Sequence, residues 1–185
     1  MKVRRFWGVE GSRRLALLGV CALIPVAAII AAIATGSAGA SVPICGGQST
    51  LVWLGDGDGG ATAGSTYYPL ELTNTTHATC TLYGYPGVSA FGLNGVQEGP
   101  AATHNSGPHG VVTLAPGATA HAILRITDWG AECSSGTNAL GLKVYVPGQR
   151  QWQTISFPMK VCASRGILSV EPVRAGVGVP GYTAS

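Results

Sequence analysis

The sequence predicts an all-β chain: an antiparallel β-sandwich of roughly seven to nine short strands behind an apolar N-terminal segment. Three observations carry this. Beyond residue 40 no stretch holds a helical period of useful length. Short runs alternate instead, with Tyr68, Leu70 and Leu72 against Pro69, Glu71 and Thr73. Ala120, Ala122, Leu124 and Ile126 alternate with His121, Ile123 and Arg125, and Leu140, Leu142, Val144 and Val146 with Gly141, Lys143 and Tyr145. Period two turns one face of a strand to a core and the other to water. Finally, turn residues separate the runs at Gly84-Tyr85-Pro86-Gly87, Pro116-Gly117 and Pro147-Gly148, where proline presets φ and glycine accepts positive φ.

The N-terminal element comes first in the chain. Residues 1–14, MKVRRFWGVEGSRR, set five basic residues against Glu10, and residues 15–34 form an apolar run that exits through Ala38-Gly39-Ala40. A positive start, an apolar middle and an A-x-A exit describe a secretory signal peptide, with cleavage expected between Ala40 and Ser41. About 20 apolar residues also span a bilayer, so an uncleaved membrane anchor is the alternative. Pro25 and the A-x-A exit favour cleavage, and Val20 before Cys21 makes a poor lipobox. The expected organisation is a signal over 1–40, a sandwich domain over 41–174 and a loose glycine-rich tail over 175–185. The expected location is secreted or extracellular, or membrane-anchored with the domain outside.

Without residues 1–40, six basic and seven acidic residues remain, a net charge of about −1, so no basic patch argues for nucleic acid. Membrane contact is expected only through an uncleaved N-terminal segment. The remaining ~145 residues suffice for one domain with a real core.

Cys45, Cys80, Cys133 and Cys162 follow the signal. An even count in an exported chain, with no C-x-x-C spacing, points to disulfides rather than zinc or thiol redox chemistry. Residues 49–54 and 66–74 read as a strand pair, as do 138–146 and 151–157 around Pro147-Gly148-Gln149-Arg150. In an antiparallel pair the start of the first strand lies beside the end of the second. Cys45 and Cys80 therefore share one open hairpin end, and Cys133 and Cys162 another. The expected bonds are Cys45–Cys80 and Cys133–Cys162. Asn74 ends a strand whose inward residues are Tyr68, Leu70 and Leu72, so it faces the core side and is expected to hydrogen-bond turn backbone. Residues 167–173 are the closing strand.

These residues carry a resemblance. Cys45, then LELTNTTHATCTLYGYPGV, then VVTLAPGATAHAIL, then Cys133 and Cys162 resemble an actinobacterial family of exported domains, domain of unknown function 4232. The likeness covers nearly all of 45–173. Asn74, Cys80, Gly84, Tyr85, Pro86, Gly87, Leu114, Pro116 and Gly117 fall on its pattern, and C-x-L-x-G-Y-P-G is its most specific part. The resemblance implies an exported immunoglobulin-like β-sandwich, often lipid-anchored or joined to a membrane segment, with no agreed activity. The chain departs from it in lacking a lipobox.

Candidate chemistry is thin. His104 and His109 lie in THNSGPHG, a loop able to wrap a metal, but the nearest acid in sequence is Glu98 and metal sites usually recruit a third ligand. His77 and His121 read as surface polar residues. Asp56-Gly57-Asp58-Gly59 opens like a calcium loop, yet Ala61 and Tyr67 occupy the positions that need glycine and an acid. Ser65 and Ser106 lack a nucleophile elbow, and seven acids, mostly in loops, offer no paired carboxylates. No enzyme, metal or cofactor is expected. Trp152 shares a strand face with Thr154 and Ser156, so it is exposed if Ile155 and Phe157 face the core. Trp129, in a loop, carries the same two readings of ligand contact or packing. The expectation is a non-catalytic interaction module for a protein or glycan at the cell surface. The alternative is a metal-binding or hydrolytic secreted protein using His104 and His109.

Overall fold

The computed structural model describes residues 41–56 and 63–178, all within the compact unit Gly39–Ser185. The signal, the anchor, most of the Asp56–Gly59 loop and the end of the tail lie outside the described residues. Within them the chain runs β1 (Thr50–Leu54), β2 (Ser65–Asn74), β3 (Cys80–Tyr83), β4 (Gly87–Phe91), β5 (Gln97–Glu98), β6 (Thr103–His104), β7 (Val111–Leu114), β8 (Thr119–Thr127), α1 (Trp129–Glu132), β9 (Thr137–Tyr145), β10 (Trp152–Val161), β11 (Leu168–Val170) and β12 (Arg174–Ala175). That is more strands than the seven to nine expected, because β5, β6 and β12 are two-residue pieces too short to show a period. One helical turn is also present: Asp128 caps α1, its carboxylate accepting from Gly130 N at 3.0 Å.

The strands form two larger sheets and a pair. The first sheet runs β1-β2-β8-β11-β6, with β12 also beside β8; the second runs β10-β9-β4-β5; β3 pairs with β7. Named strands pair antiparallel except at β6, which lies parallel to β11 through Ser169↔Thr103 and Val170↔His104. The uniformly antiparallel expectation fails there because a long connection separates the two strands, which is what parallel pairing requires. The spine of the first sheet is β2 on β8, in register from Ser65↔Thr127 to Thr73↔Thr119.

Alternation holds for most inward residues of the long strands, although Ile123 and Pro69, on the sides expected to be wet, are buried as well. Leu70 and Leu72 of β2, Ala120, Ala122 and Leu124 of β8, Val88 and Ala90 of β4, and Leu142 and Val144 of β9 are buried in one cluster that β3 and β7 extend with Leu82, Val112 and Leu114. Burying each such Leu or Val contributes about 1.5–3 kcal/mol. Tyr68 and Phe157 meet edge-to-face at 5.2 Å, joining the two larger sheets.

Two departures have clear causes. Leu140, expected inward, is 42% exposed. Opposite it β10 carries an irregularity, pairing Ser156 with Gly141 and then Met159 with Ala139, so Phe157 and Pro158 face one residue, as in a β-bulge. On the first sheet Glu71, expected to be wet, is 1% exposed. The chain after Val173 folds back over it: Gly176 N donates to Thr119 O at 3.0 Å, His121 Nδ1 lies 2.8 Å from Gly176 O, and Gly178 N donates to Glu71 Oε1 at 2.8 Å. The tail expected to be loose from Ala175 is thus held through Gly178, and His121 is half-buried beneath it.

The turns use proline and glycine as their geometry demands. Ala118 N donates to Ala115 O across Pro116-Gly117, and Gln149 N to Val146 O across Pro147-Gly148, with φ of 74° at Gly117 and 76° at Gly148. Proline followed by a positive-φ glycine is the type II pattern. Gly84, at φ 86°, redirects the chain from β3 to β4, which belong to different sheets. The disulfides are Cys45–Cys80 and Cys133–Cys162, the pairing that the two hairpin ends require.

Candidate functional site

The β9–β10 hairpin presents an exposed tryptophan on the outer face of its sheet. Its inward residues on β10, Ile155, Phe157 and Met159, are half-buried against the core. Alternation therefore sends Trp152, Thr154, Ser156, Pro158 and Lys160 outward, and all five are exposed. Register pairs Trp152 with Tyr145, and their rings lie 5.9 Å apart, tilted by 52°. Lys143 Nζ sits 5.0 Å from the centre of the Trp152 ring and donates to Gly95 O at 2.6 Å. Trp152 is 48% exposed.

Glycines shape the floor. A Cβ on Gly87 of β4 would lie 3.3 Å from Tyr145 Cβ, and one on Gly141 would lie 3.1 Å from the Phe91 ring. Absent side chains at these two places let Tyr145 and Phe91 lie low on the sheet, leaving Trp152 prominent. On the inner side the Gln153 amide closes the edge of β1: its Nε2 donates to Gly47 O at 2.7 Å and to Thr50 O, and its Oε1 accepts from Val52 N at 3.4 Å. The strand carrying Trp152 is thereby tied to the first sheet.

Charge gathers here as well. Residues 137–161 hold Lys143, Arg150 and Lys160 and no Asp or Glu. A net charge near −1 conceals this local basic stretch, small as it is, which the totals do not disclose. The ion pairs among the described residues, Arg165–Glu132 at 3.3 Å and Arg174–Glu171 at 3.4 Å, involve none of the three.

Trp129 is half-buried. Lys160 Nζ lies 4.8 Å from its ring centre, and a Cβ on Gly136 would come within 2.9 Å of the ring. Its ring packs against the core while one edge opens into a cleft shared with Ser65, Asp128 and Met159.

The histidines stand at another place, on the β3–β4 turn. His104 stacks flat on Tyr85, with centroids 4.2 Å apart and planes 5° apart; His109 leans on Tyr85 at 5.6 Å and on Tyr83 at 5.2 Å. The Tyr85 hydroxyl donates to Asn105 O at 2.8 Å, pinning the loop that carries both histidines. Among the described residues no three His, Cys, Asp or Glu side chains gather as a metal would need. Ser65 Oγ accepts from Arg125 Nε at 3.0 Å and lies 3.4 Å from Thr127 Oγ1, partners that cannot serve as a general base.

The turn motif is structural. Asn74 is wholly buried; its Nδ2 donates to Ala78, Leu114 and Ala115 carbonyls at 2.8, 3.1 and 3.2 Å, and its Oδ1 accepts from Thr76 N and Oγ1 at 3.0 and 2.7 Å. Gly117 N donates to Asn74 O, and Pro86 is buried beside Tyr85.

Sequence reasoning did not find Tyr145, Lys143 or Glu71. Cross-strand register would have supplied the first two, since the Pro147-Gly148 turn fixes which residues oppose Trp152. Burial pushes the Glu71 carboxyl above its usual range, against the pull of Gly178 N–H and of His121.

The chain matches no curated protein and no solved structure significantly. Residues 45–174 match the family model of a domain of unknown function, DUF4232. That match spans well over half of the chain, with β1–β11 and the cysteines of both disulfides inside it, and the protein belongs to this family.

Proposed function

We propose that this protein is an exported, non-catalytic binding module, an immunoglobulin-like sandwich that engages a protein or glycan at the cell surface through the outer face of β9 and β10. The carrying observation is Trp152: an aromatic side chain 48% exposed, flanked by Tyr145 and Lys143, on a strand fastened to the first sheet. A large exposed indole on a rigid strand offers contact area at small entropic cost, which is how aromatic anchors work. Two disulfides are consistent with an oxidising compartment, and the apolar run over 15–34 supplies a route to it.

The test is retention of the purified chain on a cell-envelope fraction, wild type against Trp152→Ala, with thermal melts to verify folding. A loss of at least tenfold in retention with an unchanged melt supports the reading. Equal retention of the two proteins removes Trp152 from the binding surface and ends it.

A further inference from the structure

We infer that the ligand of this face is an acidic polysaccharide lying along β10, its sugar rings on the two tryptophans and its acid groups at the hairpin's basic residues. The inference rests on the binding-module reading and gives that ligand a chemical class.

Four observations point this way. First, a lysine lies over a tryptophan at each end of β10: Lys143 at 5.0 Å from Trp152, and Lys160 at 4.8 Å from Trp129. The ammonium over each ring covers part of one face and sets a positive charge there, so a sugar packs on the ring surface left open, with the negative charge it carries beside the cation. Second, at ~3.3 Å per residue the two ends of β10 stand roughly 25–30 Å apart, which suits a chain rather than a single sugar. Third, between them Thr154 and Ser156 place hydroxyls on the same exposed positions, able to donate to and accept from sugar hydroxyls. Fourth, the charge is one-sided. Lys143, Arg150 and Lys160 are half of the six basic residues after residue 40, they fall in a stretch with no acid, and none is in an ion pair among the described residues. Arg150 lies two residues before β10 begins at Trp152 and is exposed. A domain that is acidic in sum keeps its hairpin basic, which favours an anionic partner there and disfavours one elsewhere.

The hairpin itself holds no Asp or Glu; the acids nearest the Trp129 end are Asp128, which caps α1, and Glu132, paired with Arg165 at 3.3 Å.

The experiment measures affinity of the purified chain for polygalacturonate and alginate, with fully methyl-esterified pectin as the neutral control on a matched backbone. Wild type, Trp152→Ala and the double variant Lys143→Gln/Arg150→Gln are compared at low and high salt. Acidic polymers should bind at least tenfold tighter than the methyl ester, and added salt should narrow the gap. Trp152→Ala should weaken binding to every polymer, whereas the double variant should lose affinity for the acidic ones alone. The double variant changes only exposed or half-exposed side chains, so it separates ligand loss from misfolding.

Equal affinity for acidic and esterified polymers overturns the charge assignment. Binding to anionic phospholipid vesicles or oligothymidylate with no binding to either acidic polymer reassigns the face and overturns the inference. If envelope retention still depends on Trp152 while no polysaccharide binds, the polysaccharide falls and the binding module stands. If envelope retention ignores Trp152, the module reading itself fails.

Discussion

Asn74 has two donors and two acceptor lone pairs on its side chain, sits 0% exposed at the end of β2, and joins the 75–79 turn to the Pro116-Gly117 turn through three carbonyls and Thr76. Its removal takes the side-chain donor from the buried Leu114 carbonyl and the acceptor from Thr76, while the Ala78 and Ala115 carbonyls keep Thr76 Oγ1 and Ala118 N as donors; an orphaned buried group costs more than its hydrogen bond contributed. Asn74→Ala should therefore destabilise by about 2–4 kcal/mol, measured by urea unfolding. Asn74→Asp should be worse, because it replaces an amide that donates to three carbonyls with a carboxylate facing them. An Asp variant as stable as wild type would contradict this assignment. Glu71 behaves differently. Its Oε1 accepts from Gly178 N, but its buried Oε2 has no hydrogen-bond partner among the described residues, and burial raises its pKa above 4.5. The folded state then binds the proton more tightly than the unfolded one. This group's contribution is complete below the ordinary carboxylate pKa and is lost as pH rises through the raised folded value. Glu71→Gln, which cannot ionise, should match wild type near pH 4 and melt at a higher temperature at pH 7. Melting curves at the two pH values decide it, and a uniform loss of stability at both would show that the carboxylate itself holds the C-terminal segment.

The hairpin of β9 and β10 shows how neighbouring elements constrain each other. Gly141 lies in β9 between β4 and β10, and a Cβ there would run into the Ile155 carbonyl and crowd the Phe91 ring. Because the obstacle is backbone of a paired strand, no rotamer relieves it. Gly141→Ala should open the β9–β10 ladder next to the bulge, destabilise by about 1–3 kcal/mol, and reduce hydrogen-exchange protection across residues 152–156. Unchanged protection would refute the close approach. The same hairpin marks what could be read from sequence. β2 and β9 fall within a residue of the strands expected from alternation, since each offers several inward residues in phase. β10 runs on to Val161, past the expected end at Phe157, because Pro158 reads as a stop although edge strands and bulges tolerate proline. Trp152's exposure follows from alternation within one strand, so it was legible. The approach of Tyr145 and Lys143 depends on pairing between strands, and the burial of Glu71 on a segment about 100 residues away. Neither leaves a local periodic signal.

At the scale of the whole molecule the two disulfides do different work. Cys45–Cys80 joins the approach to β1 with the start of β3, where Cys45 N also donates to Thr81 O and Thr81 N to Pro43 O, so it links the first sheet to the β3–β7 pair. Cys133–Cys162 closes the end of the β9–β10 hairpin beside α1, where Val161 pairs with Thr137. With sequence separations of 35 and 29 residues, the loop-entropy model assigns each about 3.5–4 kcal/mol. A domain of this size has about 5–15 kcal/mol in all. Either bond alone should therefore be dispensable for folding, whereas loss of both removes most of the margin. The consequences differ in place. Cys133→Ala/Cys162→Ala should lower protection of β9 and β10 first and weaken envelope retention through Trp152, while Cys45→Ala/Cys80→Ala should loosen β1 and β3 and leave the hairpin protected. Hydrogen exchange on both double variants, alongside thermal melts, tests this. Equal loosening everywhere would mean that the sheets unfold as one unit, and the hairpin would then have no stability of its own to lend to a binding face.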